Sequence, residues 1–387
     1  MNRKPFGNYE VLGVLGKGGQ SVVWMAESPE HGLVAVREID EPYLNISKFK
    51  NAARELLFLK NTSHENIINI LDYHVHAEME YDGPIMKKIY IIMPLMDCSL
   101  QELFDKPKIL PRKYHDFLTD EQHRNSNVRN IMTKLLLGVH YLHSNNIIHR
   151  DLSARNVMIR LEDNELKLKI IDLGLARDNI RGAMTDGIAT AGFRSWEMLV
   201  DTVDYDHKVD IWSVGCIFAQ LLSGEPLCNS RYDGHQSASN DIGVQMKNIL
   251  SVAELPNNFN LESFLEEYDL YYCIPQLIGI QRTPTDERFA DTILPKVAEH
   301  DDPERHSARS MKHLLKEMIQ LLPNDRCSAS QALQHPYLGH TVEQVQPLRD
   351  PSFVDKAVKI IEKGNSENPR THFPEFVNIF NHICRQE

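Results

Sequence analysis

The stretch that decides the fold of this chain reads His149-Arg150-Asp151-Leu152-Ser153-Ala154-Arg155-Asn156, and it is followed by Asp172-Leu173-Gly174. Two short apolar runs, 157–159 and 166–171, lie between these stretches and flank the polar, turn-like residues 162–164. Short apolar runs on both sides of such a turn are typical of a β-hairpin. We therefore predict a hairpin that presents Asp172 at its end.

The composition of the chain limits the classes of protein to which it can belong. The chain has 387 residues, 42% hydrophobic and 25% charged, which is an ordinary globular mix long enough for one large or two medium domains. Its net charge of -12 argues against a nucleic-acid partner, because nucleic acids bind basic surfaces. The cysteines form no C-x-x-C pair, which favours reduced thiols in a reducing compartment; they are Cys98, Cys216, Cys228, Cys273, Cys327 and Cys384.

Targeting and membrane segments are not predicted. The first residues, MNRKPFGNYE, contain no apolar run of the kind that a signal peptide needs. No stretch is long and apolar enough to span a bilayer. We expect a location in the cytosol or the nucleus, between which the sequence does not choose.

The first ninety residues have the pattern of a small unit rich in strands. Runs of Val and Leu separated by Gly and Pro turns predict strands over Tyr9–Leu15, Val22–Glu27, Leu33–Glu38 and Lys88–Met93. A helix is predicted after Ser47 as its N-cap, since Phe49, Ala52, Ala53 and Leu56 follow a helical period.

Beyond about residue 97 the pattern becomes mostly helical. Val128, Ile131, Leu135, Val139 and Leu142 form one stripe of a long helix that ends before the quoted stretch. The run 210–222 is nearly all apolar and predicts a helix that is buried on every side. After Tyr337 the chain is more polar and has an amphipathic piece at 376–383, which we expect to pack on the body rather than bind a partner.

The stretch 149–156 resembles the H-R-D-L-x-x-x-N catalytic loop of the protein kinases, and 172–174 differs by one residue from their D-F-G metal-binding turn. An ordinary turn would explain an isolated H-R-D, but not Asn156, Asp172 and Gly174 at the family's spacing. Phosphoryl transfer needs an acid near the attacking hydroxyl and oxygen ligands for Mg²⁺. The resemblance assigns the first role to Asp151 and the second to Asn156 and Asp172.

A glycine-rich turn, Gly16-Lys17-Gly18-Gly19-Gln20-Ser21, lies between two predicted strands. Strands on both sides disfavour a dinucleotide-binding fingerprint, which needs a helix after the glycines. They agree with the loop that covers the phosphates of ATP in kinases. By resemblance, Gly16, Gly18 and Val23 would contact ATP.

The tetrapeptide Val34-Ala35-Val36-Arg37 stands where kinases have V-A-I-K. Ala35 joins the expected ATP contacts, and Glu55 matches the partner of the family lysine. Arg37 keeps the positive charge but has a planar group that prefers bidentate geometry. Two interpretations stay open: Arg37 and Glu55 position the phosphates, or Arg37 only pairs with Glu55 and nucleotide binding is weakened.

The catalytic loop departs from the usual Ser/Thr pattern. Ser153 replaces a lysine, whereas Arg155 resembles the arginine in the H-R-D-L-A-A-R-N loop of tyrosine kinases. A cation near the transferring phosphoryl group stabilises its developing charge. The resemblance therefore implies that the charge is relocated to Arg155.

The segment 184–190 resembles the T-x-Y-V-A-T activation segment of the mitogen-activated kinases, but glycine replaces the tyrosine. We expect phosphorylated Thr185 to be the on-state, with Arg150 pairing with its phosphate. Ala191 replaces an arginine, and Ser195-Trp196-Glu197 replaces A-P-E. These changes make proline-directed substrate choice doubtful and exclude the usual dual phosphorylation.

Over residues 9–338 the chain is most similar to the mitogen-activated and cyclin-dependent branch. Residues 90–97 resemble its strand and hinge, with Met93 at the gatekeeper position and the backbone of Pro94 and Met96 facing adenine. Glu197 would form a buried ion pair with Arg326.

We therefore predict an α+β fold of two lobes: a small antiparallel sheet with one helix, and a larger helical lobe. The predicted bounds are 9–338 for a kinase domain, with an N-lobe at 9–93, a hinge at 94–97 and a C-lobe at 98–338 that includes an insert around 225–310, followed by an extension at 339–387. The expected function is ATP- and Mg²⁺-dependent phosphorylation of Ser or Thr in proteins by a monomer under an upstream kinase. The alternative is a pseudokinase that acts as a scaffold or allosteric regulator.

Overall fold

The N-terminal lobe is built on one antiparallel sheet. A computed structural model describes residues 5–6, 8–18, 21–80, 83–105, 110–119, 123–163, 165–178, 192–200, 205–228, 241–270, 305–342 and 344–363. The sheet has the order β1-β2-β3-β4-β6-β5, with β1 (Pro5–Phe6), β2 (Tyr9–Lys17), β3 (Val22–Ser28), β4 (Gly32–Asp40), β5 (Asp72–Glu80) and β6 (Gly83–Pro94). The strands predicted from sequence are confirmed, and β1 and β5 are additional ones.

The helix of this lobe, α1 (Ile46–Asn61), begins one residue before the predicted cap. Asn45 is the N-cap, because its side chain accepts a hydrogen bond from Lys48 N at 3.0 Å. The assignment of Ser47 as N-cap was therefore wrong. Local sequence did not separate the two residues, since both asparagine and serine are good caps.

The C-terminal lobe is mainly helical. Its helices among the described residues are α2 (Leu100–Asp105), α3 (Arg112–Thr119), α4 (Arg124–Ser144), α5 (Lys208–Ser223), α6 (Ile242–Val252), α7 (Leu261–Glu267), α8 (Arg305–Met318), α9 (Ala329–Gln334) and α10 (Pro351–Lys363). Short strands complete it: β7 (Cys98–Ser99), β8 (Ile147–Ile148), β9 (Val157–Glu162), β10 (Glu165–Ile170) and β11 (Arg177–Asp178). The predicted two-lobed α+β fold is confirmed.

The predicted hairpin is present as β9 and β10, which pair antiparallel from Glu162 opposite Glu165 to Val157 opposite Ile170. Helix α4 packs closely behind it. A Cβ atom on Gly138 would lie 2.8 Å from Ile170 Cδ1 and 3.1 Å from Asn66 O, so a larger residue would require these neighbours to shift. The predicted buried helix is α5, whose residues from Val209 to Leu222 are all buried.

The C-terminal extension contributes to the main core. Val354, Ala357, Val358 and Ile361 on α10 are buried in the same apolar cluster as Leu56 of α1. The amphipathic piece at 376–383 lies outside the described residues. No helix in the described part of the chain has the length and apolarity that crossing a bilayer requires. Cys98, Cys216, Cys228 and Cys327 are free and buried.

Candidate active site

The register of the N-terminal sheet brings the predicted nucleotide contacts together. Gly16 on β2 pairs with Val23 on β3, and Val23 pairs in turn with Arg37 on β4. Ala35 pairs with Met93 on β6. Since residues two apart share a face of a strand, Ala35 and Arg37 face the same side of the sheet. This register places the glycine-rich turn next to the face of the sheet that Ala35 and Arg37 share.

The glycine-rich turn has open space around Gly16 and Gly18. A Cβ atom on Gly16 would meet no atom within 4 Å, and one on Gly18 would meet only Ser21 O at 3.7 Å. Gly18 N donates to this same oxygen at 2.9 Å, which closes the turn. Packing against the described residues does not demand these glycines. Close approach of phosphate oxygens to the backbone would demand them, and the predicted nucleotide contact requires such an approach.

Arg37 contacts two carboxylates at once. Its Nη1 donates to Glu55 Oε1 at 2.7 Å and lies 3.2 Å from Asp172 Oδ2. The side chain of Glu55 is 1% exposed, whereas that of Asp172 is 30% exposed. The helix α1 is thus held against the sheet, and Asp172 is drawn toward the same cation.

The surroundings raise the pKa of Arg37 and Glu55 and lower the pKa of Asp172. Burial alone would lower the pKa of Arg37, but the charges of Asp172 and Glu55 reverse this and raise it. Burial raises the pKa of Glu55 to about 7, although Arg37 is close, because Glu55 is almost fully excluded from water. Burial also opposes ionisation of Asp172, but Arg37 outweighs it and lowers that pKa. Asp172 is therefore ionised at neutral pH, in the form that binds a cation.

The catalytic loop holds Asp151 and Asn156 side by side. Asn156 Nδ2 donates to Asp151 O at 2.7 Å and to Asp151 Oδ2 at 2.9 Å. The amide nitrogen is thereby committed, so the amide oxygen is the atom that can serve a metal ion. Ile171 N donates to Asn156 O at 2.9 Å, which places Asp172 next to the loop. Asn156 and Asp172 thus lie close together and carry oxygen atoms of the kind that Mg²⁺ prefers, while their role as its ligands stays a prediction.

The conformation of the loop is fixed by hydrogen bonds to Asp210, the third residue of α5. Asp210 Oδ2 accepts from His149 N at 2.8 Å, and its Oδ1 accepts from Arg150 N at 2.9 Å. His143 Nε2 lies 2.9 Å from Oδ2 as well. Burial disfavours the charged form of Asp210, but these donors and the His143 charge outweigh it and lower its pKa. This role of Asp210 was not predicted from the sequence.

The backbone is also strained at this site. Arg150 has φ 70° and Asp172 has φ 64°, both left-handed values that non-glycine residues seldom adopt. Such residues cost about 1–3 kcal/mol each and persist where the surroundings hold them. The Asp210 contacts hold Arg150, and Gly174 N donates to Asp172 Oδ1 at 3.3 Å.

Positive charge near Asp151 comes from a residue that sequence reasoning missed. Arg194 is partly buried; burial lowers its pKa, and the nearby Asp151 carboxylate opposes that shift. Arg155, the predicted cation, is exposed on its turn. Its role near the γ-phosphate stays a prediction. Arg194 carried no motif of its own, so the only available signal was its position two residues before Trp196.

Met93 and Pro94 are the last two residues of β6, Met96 follows the strand, and all three are half-buried. Arg160 Nη1 donates to Leu95 O at 3.2 Å, so this carbonyl already has a partner. The predicted contact of adenine with the backbone of Pro94 and Met96 stays a prediction.

Glu197 and Arg326 lie in contact with both side chains fully buried. Arg326 Nη1 bonds to Glu197 Oε1, and its Nη2 donates to Oε2 at 3.1 Å. Trp196 is also buried beside this pair; its Nε1 donates to Leu321 O at 2.8 Å, and Arg326 Nη2 donates to the same carbonyl at 2.9 Å. The unusual tryptophan is thus part of the core that supports Glu197.

Trp196 also packs edge-to-face with Phe264 and Tyr268, with ring centroids 5.0 and 4.6 Å apart. Helix α7 of the predicted insert supplies Phe264, and Tyr268 follows this helix. The insert therefore covers Trp196, which stands where the family has the proline of A-P-E. The predicted phosphorylation site Thr185, the segment 184–190 and Ala191 lie outside the described residues. Arg150, the predicted partner of phosphorylated Thr185, is buried, and its guanidinium lies 5.6 Å from the ring centroid of Tyr205.

A cluster of metal-binding residue types, His313, Glu317 and His335, lies in the described part of the C-terminal lobe. Tyr337 N donates to His335 Nδ1 at 3.2 Å. Burial lowers the pKa of His335 and so favours its neutral form. Because Nδ1 accepts a hydrogen bond, the proton of neutral His335 is on Nε2. That nitrogen lies 2.9 Å from His313 Nδ1 and donates to it. The cluster is a hydrogen-bonded chain, because a metal would need His335 Nε2 without its proton.

Comparison with known proteins agrees with this geometry. The family model "Protein kinase domain" matches residues 9–338, and the chain belongs to the protein kinase family. It is 31% identical over 334 residues to the stress-activated protein kinase JNK of Suberites domuncula, which covers 86% of this chain and 82% of that protein.

Two further relatives belong to the same group. The stress-activated protein kinase jnk-1 of Caenorhabditis elegans is 29% identical over 89% of this chain and 67% of its own length. Mitogen-activated protein kinase 13 of Bos taurus is 28% identical over 92% of this chain and 82% of its own length. The similarity lies in the mitogen-activated branch, as the sequence motifs indicated.

Proposed function

We propose that this protein is an active kinase that transfers the γ-phosphoryl group of ATP to Ser or Thr of protein substrates. The observation that carries the proposal is the pair of hydrogen bonds from Asn156 Nδ2 to Asp151. These bonds orient the predicted proton acceptor and a predicted metal ligand together. A protein that only bound partners would have no chemical need for this arrangement.

Each residue has a definite task in this proposal. Asp151 orients the attacking hydroxyl and accepts its proton, while Asn156 and Asp172 are the residues that hold Mg²⁺. When bound, Mg²⁺ neutralises charge on the phosphates. Gly16, Gly18, Val23 and Ala35 line the nucleotide, and Arg37 with Glu55 positions the phosphates. A positive charge near Asp151, from Arg155 or Arg194, stabilises charge that develops during transfer.

The alternative function is that of a pseudokinase, a scaffold that binds nucleotide without transfer. One contact favours it, because Arg37 Nη1 lies 3.2 Å from Asp172 Oδ2 and so engages the carboxylate that Mg²⁺ requires. The direct test is transfer of labelled phosphate from ATP to a generic protein substrate, followed by identification of the labelled residue type. Nucleotide binding without transfer would support the alternative.

Regulation and partners follow from the same proposal. Protein substrates and an upstream activating kinase are the expected partners, and phosphorylated Thr185 is the proposed on-state. We further propose that the protein acts as a monomer in the cytoplasm or nucleus. Neither nucleic acid nor a membrane is a proposed partner, given the net charge of -12 and an apolar content typical of globular chains.

Nucleotide binding should stabilise the fold in a magnesium-dependent manner. At a free ATP–magnesium concentration a hundred times its Kd, we expect the free energy of unfolding to rise by about 2.7 kcal/mol. Thermal shift with ATP alone and with ATP plus Mg²⁺ measures this effect. Adenine-free tripolyphosphate with Mg²⁺ is the matched control. No shift at millimolar ATP and Mg²⁺ would argue against ATP as the cofactor.

Substitution of Arg37 by lysine should increase kcat. A compact ammonium can pair with Glu55 and a phosphate as a point charge, whereas the guanidinium is planar and is shared with Asp172. Misplacing one preorganised charge costs about 10²–10³ in rate, so an increase of up to about 10² is expected. Steady-state kinetics on one peptide measure it, with Arg112→Lys on the exposed face of α3 as control. A slower Arg37→Lys enzyme would mean that the site is adapted to arginine.

A further inference from the structure

Two free thiols of the C-terminal lobe lie in contact with each other. Cys216 is on α5, and Cys228 follows the end of that helix at Ser223. The two thiols share a hydrogen bond. Both residues are buried, with 1% and 5% of their surface exposed. A disulfide requires sulfur atoms about 2.05 Å apart, so a short movement would convert this contact into a covalent bond.

Of the two residues, Cys228 is the one that can make this movement. Helix α5 is buried along its whole length from Val209 to Leu222. A Cβ atom on Gly215, next to Cys216, would lie 2.8 Å from Ile319 Cγ2, so the helix is tightly packed at this turn. Cys228 lies outside the helix. Joining the sulfur atoms would therefore draw Cys228 toward α5.

The backbone of Cys228 touches the segment that begins at Gly192. A Cβ atom on Gly192 would lie 2.9 Å from Cys228 O, so the two backbones are in contact. Ser213, about one turn before Cys216 on α5, donates to Phe193 O at 2.8 Å. The same part of α5 thus contacts both Cys228 and this segment. A shift of Cys228 would act directly on the backbone at 192 and 193.

The segment continues to Arg194, which lies near the Asp151 carboxylate. Displacement of Gly192 and Phe193 would therefore move a cation that lies beside the predicted proton acceptor. The two thiols are thus connected to the candidate active site through one short stretch of backbone.

The hydrogen bond sets the order of the chemistry. Burial, and then the bond to Cys228, raise the pKa of Cys216, so this thiol keeps its proton and donates it. Cys228 accepts the bond, which stabilises its thiolate, the reactive form of cysteine. Cys228 is also the more exposed of the two residues. Its sulfur should therefore react first with an oxidant.

Hydrogen peroxide is an oxidant small enough for a buried pair. The sulfur of Cys228 attacks one peroxide oxygen, the O–O bond breaks, and a sulfenic acid and one water form. The sulfur of Cys216 then attacks that of Cys228, and its proton leaves with the hydroxide as a second water. Two electrons pass in total from the two sulfurs to the peroxide, and one S–S bond forms.

We propose that Cys216 and Cys228 are an oxidative modification site, at which peroxide forms a disulfide that displaces the segment 192–194 and slows phosphoryl transfer. Formation of the disulfide is independent of the proposed function, whereas the loss of transfer rests on it. Disulfides that form in a reducing compartment are usually transient, so the modification should be reversible.

Peptide mapping after oxidation tests the disulfide. The variant Cys273→Ser with Cys384→Ser removes the two cysteines that lie outside the described residues, and the native protein is mapped in parallel. Each protein is treated with hydrogen peroxide, the excess is removed with catalase, and remaining thiols are alkylated with iodoacetamide in denaturant. Mass spectrometry should find a peptide pair joined through Cys216 and Cys228 in both proteins.

Transfer of labelled phosphate is measured on the same samples, before and after dithiothreitol. A misplacement of about 1 Å can cost about 10² in rate, so transfer should fall by about that factor and return on reduction. Cys228→Ala should keep its rate in peroxide, because no disulfide can form. Cys327→Ala, which removes another buried thiol, should lose activity as the native protein does.

The possible outcomes separate the disulfide from its effect. Recovery of Cys216 and Cys228 in alkylated form, or oxidation of Cys228 only to the sulfinic acid, overturns the modification site. A disulfide that leaves transfer unchanged, or equal inhibition of Cys228→Ala, overturns its action on the segment 192–194. If the reduced native protein shows no transfer, the proposed function fails, and peptide mapping alone decides whether the disulfide forms.

Discussion

Substitution of Asp151 by asparagine is expected to lower the rate of phosphoryl transfer by about 10²–10⁴, the range that a positioned general base contributes. An amide cannot accept the hydroxyl proton, but its oxygen can still accept the hydrogen bond that Asn156 Nδ2 makes at 2.9 Å. The fold and nucleotide affinity should therefore be kept. Transfer of labelled phosphate, together with thermal shift by ATP and Mg²⁺, separates the two effects.

The matched control for this experiment is Asp163→Asn in the turn of the β9–β10 hairpin. Asp163 is exposed and has φ 49°, a left-handed value that asparagine tolerates, so rate and stability should both stay close to native. Equal rates for native protein and Asp151→Asn would show that the observed transfer does not use Asp151. In that case the transfer would have to be attributed to another site or another protein.

Removal of Glu197 should give the largest loss of stability. Its ion pair with Arg326 is fully buried, and breaking such a pair from one side costs about 3–5 kcal/mol because the remaining charge stays buried. Arg326 would keep its bonds to Gln320 O at 2.8 Å and Leu321 O at 2.9 Å, but these carbonyls carry no formal charge to balance it. Urea unfolding of Glu197→Ala against native protein measures the difference in free energy.

A surface carboxylate provides the comparison for Glu197. Glu165→Ala removes the partner of Lys167 in an exposed pair with a distance of 2.8 Å, and little change in unfolding is expected. The double variant Glu197→Met with Arg326→Met should recover part of the loss, since neither charge is then left alone. If Glu197→Ala and Glu165→Ala unfolded at the same urea concentration, burial of the Glu197 charge would not be a determinant of stability.

Local patterns predicted most elements that carry the site. The hairpin before Asp172, the strands around the glycine-rich turn and the buried helix α5 each have a strong local period or a turn of fixed composition. The exact start of α1 was not predictable in this way. Asn45 and Ser47 both suit an N-cap, and only the hydrogen bond to Lys48 N distinguishes them.

Contacts between distant segments were harder to predict. Trp196 was interpreted from sequence only as a departure from A-P-E, because its partners Phe264, Tyr268 and Leu321 lie at least 68 residues away. Arg194 was missed for a related reason. Its proximity to Asp151 results from the folding of one segment over another, and no local spacing reports it.

The residue Arg37 shows a third kind of limit. The sequence identified Glu55 as its partner but left open whether the arginine positions phosphates or only forms an ion pair. The shared contact with Asp172 depends on the relative position of two lobes, which a motif does not contain. The open question is therefore one of geometry, and the Arg37→Lys variant addresses it.

The packing of α10 against α1 has a consequence for local unfolding. Arg349 N donates to Asn61 O at 3.0 Å, and Asp350 N donates to Asn61 Oδ1 at 3.2 Å, so the segment before α10 is joined to the last residue of α1. Regions that share buried apolar contacts and hydrogen bonds open as one cooperative unit. The helix that carries Glu55 therefore opens together with a helix nearly 300 residues further along the chain. Transient opening at the C-terminal end would therefore loosen the helix that positions Glu55 beside Arg37.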